Sequence, residues 1–153
     1  MRTQAKSNIR TGHVGINVID VDRSAQFYMK VFGFDVLRES KEDGKRYVFI
    51  GDDQRLVLTL WQQAGAQFDA GIAGLHHLSF EVDSIDEVKE AESRLRSMNV
   101  PLLYDGIVAH SEAAASGGIF FTDPDGVRLE IFTSELGESH PAPGTGAPLC
   151  GFF

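Results

Sequence analysis

The stretch HVGINV (13–18) returns as HLSFEV (77–82), 64 positions later. The longer stretch YVFIGDDQRLVLTLW (47–61) returns as GIFFTDPDGVRLEIF (118–132), 71 positions later and without a gap. Few residues are identical between the copies. What repeats is the alternation of apolar and polar positions, and a repeated pattern of this kind marks two structural units that share one core. The two offsets differ by seven, so the second copy must carry seven extra residues between its helix and its hairpin, around GIVAHSEAAASGG (106–118).

Each copy yields the same order of elements. HVGINVID (13–20) alternates with period two, placing Val14, Ile16 and Val18 on one face and His13, Gly15 and Asn17 on the other, the pattern of a half-buried strand. A helix follows, with Asp22 as the expected N-cap, Ala25, Phe27, Tyr28 and Val31 near helical spacing, and Gly33 as the stop. DVLRES, YVFIG and RLVLTLW then read as strands separated by turns at KEDGKR and DDQ. In the second copy the strand HLSFEVDS precedes the amphipathic helix IDEVKEAESRLRSMNV; a strand at PLLYDG and a hairpin turning at DPDG complete it. The expected fold is α+β: two βαβββ modules forming a cupped mixed sheet with helices on its outer face. Residues 1–9 form an N-terminal arm and 10–134 a single domain, divided into modules 10–63 and 74–134. Residues 135–153 form an irregular tail rich in Pro and Gly, whose apolar end (Leu149, Cys150, Phe152, Phe153) either docks or frays.

Composition narrows the partners. A formal net charge of −8 disfavours nucleic acid and anionic membranes, both of which reward basic surfaces. No apolar run approaches the ~18 residues of a span, and MRTQAKSNIR has no apolar segment behind it to serve as a secretory signal. The single cysteine, Cys150, cannot form an internal disulfide, which fits a cytoplasmic location.

The repeat also turns scattered polar residues into a constellation. His13 and His77 occupy equivalent positions at the start of each module's first strand. Period two puts Ser79 and Glu81 beside His77, whereas His76 falls on the apolar face or at its rim. In RLEIF, Arg128, Glu130 and Phe132 share a face; in RLVLTLW, Val57, Thr59 and Trp61 do, which makes Thr59 the counterpart of Glu130. A carboxylate in the middle of an apolar strand is costly to bury unless paired or bound to metal. Two imidazoles and a carboxylate, His13, His77 and Glu130, can bind a divalent first-row metal (Fe, Mn, Ni or Zn) with positions left open for substrate. Arg128 is a candidate for binding an anionic substrate, while Phe49, Trp61, Phe120 and Phe132 are candidates for an aromatic pocket.

Three segments, GHVGINVIDVDRSAQFYMKVFGFDVL, GLHHLSFEVDSIDEV and FTDPDGVRLEIF, together resemble the vicinal oxygen chelate superfamily, over roughly residues 10–134. This group includes glyoxalase I, methylmalonyl-CoA epimerase, type I extradiol dioxygenases, fosfomycin-resistance transferases and bleomycin-resistance proteins. The resemblance implies a metal-dependent enzyme whose ligands come from the first and last strands of each module, again His13, His77 and Glu130. Its fourth ligand position falls on Thr59, where glyoxalase I has Glu or Gln. The remaining two-His, one-Glu set is similar to that of the extradiol dioxygenases and fosfomycin transferases. His110 lies in the region where extradiol enzymes place an acid–base histidine, though the Tyr those enzymes carry before the Glu is missing from GGIFF. A homodimer acting on a small molecule is expected. A protein that sequesters a drug or metabolite, like the bleomycin-resistance proteins, is the alternative.

Overall fold

The computed structural model describes residues 7–137, 140–144 and 151. Its elements run β1 (Val14–Asn17), α1 (Val21–Phe32), β2 (Asp35–Ser40), β3 (Tyr47–Asp52), β4 (Arg55–Trp61), β5 (Leu78–Glu81), α2 (Ile85–Ser97), β6 (Val108–Ala109), β7 (Gly117–Thr122) and β8 (Arg128–Thr133). This is βαβββ twice, arranged as two four-stranded sheets with orders β1-β4-β3-β2 and β5-β8-β7-β6. Both sheets are mixed: the first strand of each module lies parallel to the last, and the remaining pairs are antiparallel. Gly15 pairs with Thr59 as Ser79 pairs with Glu130, and Phe49 opposes Thr59 as Phe120 opposes Glu130. Both offsets read from the sequence therefore hold in the hydrogen-bonded register.

Local chemistry sets the helix ends. Asp20, not Asp22, caps α1: it is the last residue in extended conformation, and its carboxylate accepts from the backbone N–H groups of Asp22 and Arg23. Asp22 sits one position inside the first turn, where a negative charge still suits the helix dipole. Gly33 ends the helix with φ +72° and returns its N–H to the Met29 carbonyl, a conformation that costs glycine nothing. Ser84 and Glu87 form a reciprocal capping box at the start of α2.

The apolar faces of both sheets and both helices share one core. Ile16, Val48, Ile50, Leu58 and Leu60 enter it from the first module, and Ile119, Phe121, Leu129 and Ile131 from the second. Helix α1 touches both sheets. It packs on β3 and β4 of its own module, while Phe27 meets Phe121 and Phe32 meets Phe80 across the module boundary. The DPDG turn fastens the same boundary. Tyr28 donates its hydroxyl to Asp123 at 2.9 Å, Asp125 accepts the Ile19 N–H at 2.9 Å, and Arg23 pairs with Asp125.

One expectation is corrected. PLLYDG is not a strand; it contributes only the Leu102–Phe121 bridge, and the fourth strand of the sheet lies later, at Val108–Ala109. Pro101, which lacks an N–H, and Gly106, at φ +88°, both interrupt an extended ladder there. The start of the tail lies against the second module, with Leu136 buried, its N–H on the Ala115 carbonyl, and the Ala109 N–H on the Pro141 carbonyl. Leu149, Cys150, Phe152 and Phe153 fall outside the described residues.

Candidate functional site

The site is built on the face of the second sheet turned away from the core. Glu130 stands in mid-β8 and is only 2% exposed. Its cross-strand neighbours are Ser79 on β5 and Phe120 on β7. A carboxylate this deep needs partners, because leaving one unpaired costs several kcal/mol. Ser79 donates its hydroxyl to Oε2 at 2.8 Å, and His77 places Nε2 3.9 Å from the same oxygen. His110 puts its Nε2 on Oε1. The His110 ring is held from its other side by Ser116 Oγ, 2.8 Å from Nδ1, and its backbone N–H donates to the Ser116 carbonyl. The extra segment of the second module is thus what carries His110 onto Glu130. Phe132 and Phe120 flank that imidazole at 5.3 and 6.2 Å between ring centres.

Burial lowers the pKa of His77, opposed by the Glu130 charge and reinforced by His76 and Arg128. Near neutral pH the ring is neutral, with a nitrogen lone pair available. His76 is not on the apolar face. It is exposed, and its Nδ1 lies 2.7 Å from Nδ1 of His77. Arg128 reaches back to the same segment, donating from Nε to the His76 carbonyl at 3.2 Å.

The first sheet carries the counterpart face. Thr59 is buried, and its hydroxyl accepts from the Trp61 indole at 3.0 Å. Gly15 faces it; a Cβ there would lie 3.2 Å from Thr59 Oγ1. Trp61 packs with Tyr47 and Phe49 in a three-ring cluster, at centre distances of 4.8 to 5.4 Å. His13 is exposed just ahead of β1 and borders a pocket that also reaches Leu78 and Ser79.

The structure therefore gathers His77, His110, Glu130, Phe120 and Phe132, and sets Arg128 beside them on the His76 carbonyl. Thr59 and Trp61 form a separate cluster on the first sheet, and His13 lines a pocket shared with Ser79. Among the described residues, no three His, Cys, Asp or Glu side chains are arranged to hold a metal ion within one chain. Sequence reasoning placed Ser79 on the site face without a role, although the repeat sets it directly across from Glu130. Nothing in the sequence pointed to Ser116.

A family model described as the Glyoxalase/Bleomycin resistance protein/Dioxygenase superfamily matches residues 10–131. Among curated relatives, a catechol-2,3-dioxygenase from Bacillus subtilis is 24% identical over 132 residues, covering 85% of this chain but only 43% of that protein. A protein named probable lactoylglutathione lyase, from Vibrio parahaemolyticus, is 30% identical over 143 residues, covering 84% of this chain and 94% of that one. Among solved structures, the glyoxylase/bleomycin resistance protein/dioxygenase domain from Frankia sp. EAN1pec superposes with a TM-score of 0.73 at 25% identity, covering 88% of this chain and 98% of the other.

Proposed function

Because the chain belongs to the glyoxalase, bleomycin resistance protein and dioxygenase superfamily, we propose that it is a metal-dependent enzyme acting on a small substrate with two adjacent oxygens. The observation that carries this reading is Glu130, a buried carboxylate faced by two imidazole nitrogens at the middle of an apolar strand. The donors suit the ion: neutral imidazole and carboxylate together bind borderline divalent metals such as Fe, Mn, Ni or Zn. His77 and Glu130 would be ligands, with His13 the third. Thr59 adds no carboxylate, and its hydroxyl is engaged by Trp61, which favours three protein ligands and open positions for substrate. When bound, the metal supplies Lewis acidity toward the substrate's vicinal oxygens.

His110 is the proton carrier in this reading. Ser116 fixes its ring, and Nε2 faces the site. Phe120 and Phe132 exclude water around it. The packing of α1 against both sheets turns the Glu130 and Thr59 faces outward from the shared core, which supports a homodimer in which His13 of the partner subunit completes the ligand set. The decisive experiment measures metal content of untagged protein and then mixes two inactive variants, His13→Ala and Glu130→Ala. Near one metal per chain, with activity regained on mixing through one intact site per heterodimer, supports a shared site. A metal-free protein that takes up none of Fe(II), Mn(II), Ni(II) or Zn(II) overturns the metal reading.

A second reading rests on the Tyr47, Phe49 and Trp61 cluster, which could stack on a planar ligand and sequester it without chemistry. Thermal stabilisation by ring-bearing compounds but never by metal, unchanged in His77→Ala, would favour it.

A further inference from the structure

We propose that the chain after β8 acts as a strap whose Leu136 and Pro141 are positioning residues for His110, keeping that imidazole on Glu130; this rests on His110 being the proton carrier. His110 stands just beyond β6, which is two residues long and is the outer strand of its sheet. Two ladder pairs, Val108 with Gly118 and Ala109 with Gly117, do little to fix a loop. The loop also carries strain. Ala113 adopts φ +58°, a conformation that costs energy in a residue with a Cβ and persists where the surroundings impose it. Ser116 holds the His110 ring at Nδ1 and accepts its backbone N–H, but Ser116 belongs to the same loop. Support has to come from outside, and the tail supplies it at both ends.

Ahead of His110, the Ala109 N–H donates to the Pro141 carbonyl at 3.0 Å, which covers the open edge of β6. At the far end, directly before Ser116, the Ala115 carbonyl accepts the Leu136 N–H at 2.7 Å. The Leu136 side chain is buried and seats over Gly117, where an added Cβ would lie 2.8 Å from its Cδ1. Ala142, next after Pro141, packs on the shared core. The strap leaves the strand that bears Glu130, and the Ser134 hydroxyl bonds Glu81 at that exit. One stretch of chain therefore carries the carboxylate and braces the loop that brings the imidazole to it.

The test uses the full chain as wild type, Leu136→Asp and Leu136→Met. Native-state hydrogen exchange of wild type should show the Ala109, His110 and Leu136 amides opening together, at least ~10-fold more often than Leu129 and Ile131 in β8. Phe132 and Phe120 lie 5.3 and 6.2 Å from the His110 ring centre. The ring protons of His110, identified by their loss in His110→Gln, therefore carry ring-current shifts. Aspartate at the Leu136 seat would bury an unpaired charge, so the strap should release. In Leu136→Asp the His110 resonances should move to those of an exposed imidazole while the β5 amides keep theirs. Leu136→Met, which conserves volume, should retain the wild-type shifts. A folded Leu136→Asp with unmoved His110 resonances overturns the proposal, as do Ala109 and His110 amides that stay protected when Leu136 opens. Should Leu136→Asp fail to fold, the wild-type exchange decides alone. Failure to take up metal ends the metal reading, whereas both measurements still decide whether the strap holds His110.

Discussion

Glu130 and Asp123 are both buried carboxylates, and their partners separate their roles. Asp123 accepts from Tyr28 of α1 and from the Asp125 and Val127 N–H groups of its own turn, so its hydrogen bonding is satisfied by fixed partners. Glu130 is met by side chains on a sheet face, two of them imidazoles that can exchange partners. In Glu130→Gln the shape is kept and the ligand lost. Wild type should gain about 2.7 kcal/mol of stability at a metal concentration one hundred times Kd, and the variant should gain nothing in the same thermal-shift titration. Tyr28 carries a pH signature. Burial, followed by the Asp123 charge, raises its pKa well above 10. With the folded pKa above the unfolded one, the contribution is fully present below pH ~10 and is lost as pH rises from there through the folded value. Alkaline unfolding followed by fluorescence should therefore show a stability loss beginning near pH ~10, absent in Tyr28→Phe. That variant should also be weaker by about 1–3 kcal/mol at pH 7, since Asp123 Oδ2 loses its partner.

At the scale of elements, helices were readable because their ends are local chemistry. Ser84→Ala removes half of a capping box and should cost about 1 kcal/mol in urea unfolding. Strand β7 is constrained in another way. A Cβ on Gly118 would lie 2.0 Å from the Ile131 carbonyl oxygen, and one on Gly117 would lie 2.3 Å from that of Val108. The sheet closes on bare backbone there, which accounts for the two glycines that open GGIFF. Gly118→Ala should destabilise by about 1–3 kcal/mol, a loss visible as a lowered Tm. PLLYDG shows the limit of local patterning: its apolar residues fit an extended strand, but β6 forms where the chain returns alongside Gly117 and Gly118.

For the molecule as a whole, the boundary between modules rests on α1 and on the DPDG turn. Asp125→Ala deletes the acceptor of the Ile19 N–H and the partner of Arg23. Arg23 is 46% exposed in its side chain and can return to water, so the cost should come mainly from the orphaned N–H, about 1–3 kcal/mol. A denaturant profile that shifts as one transition would show the modules still coupled through the core; two separated transitions would show that the turn held them together.

The two βαβββ modules, their strand register and the shared face of Ser79, Glu130 and Phe132 follow from the sequence alone, because period-two alternation and a repeat at fixed offsets are local and additive. The direction of His76 and the landing of His110 on Glu130 do not. One depends on how two adjacent rings pack edge to face, and the other on how a seven-residue excess folds back over β8. Tertiary structure alone decided that the DPDG turn meets Tyr28, Arg23 and the Ile19 N–H, since those contacts join segments far apart in the sequence.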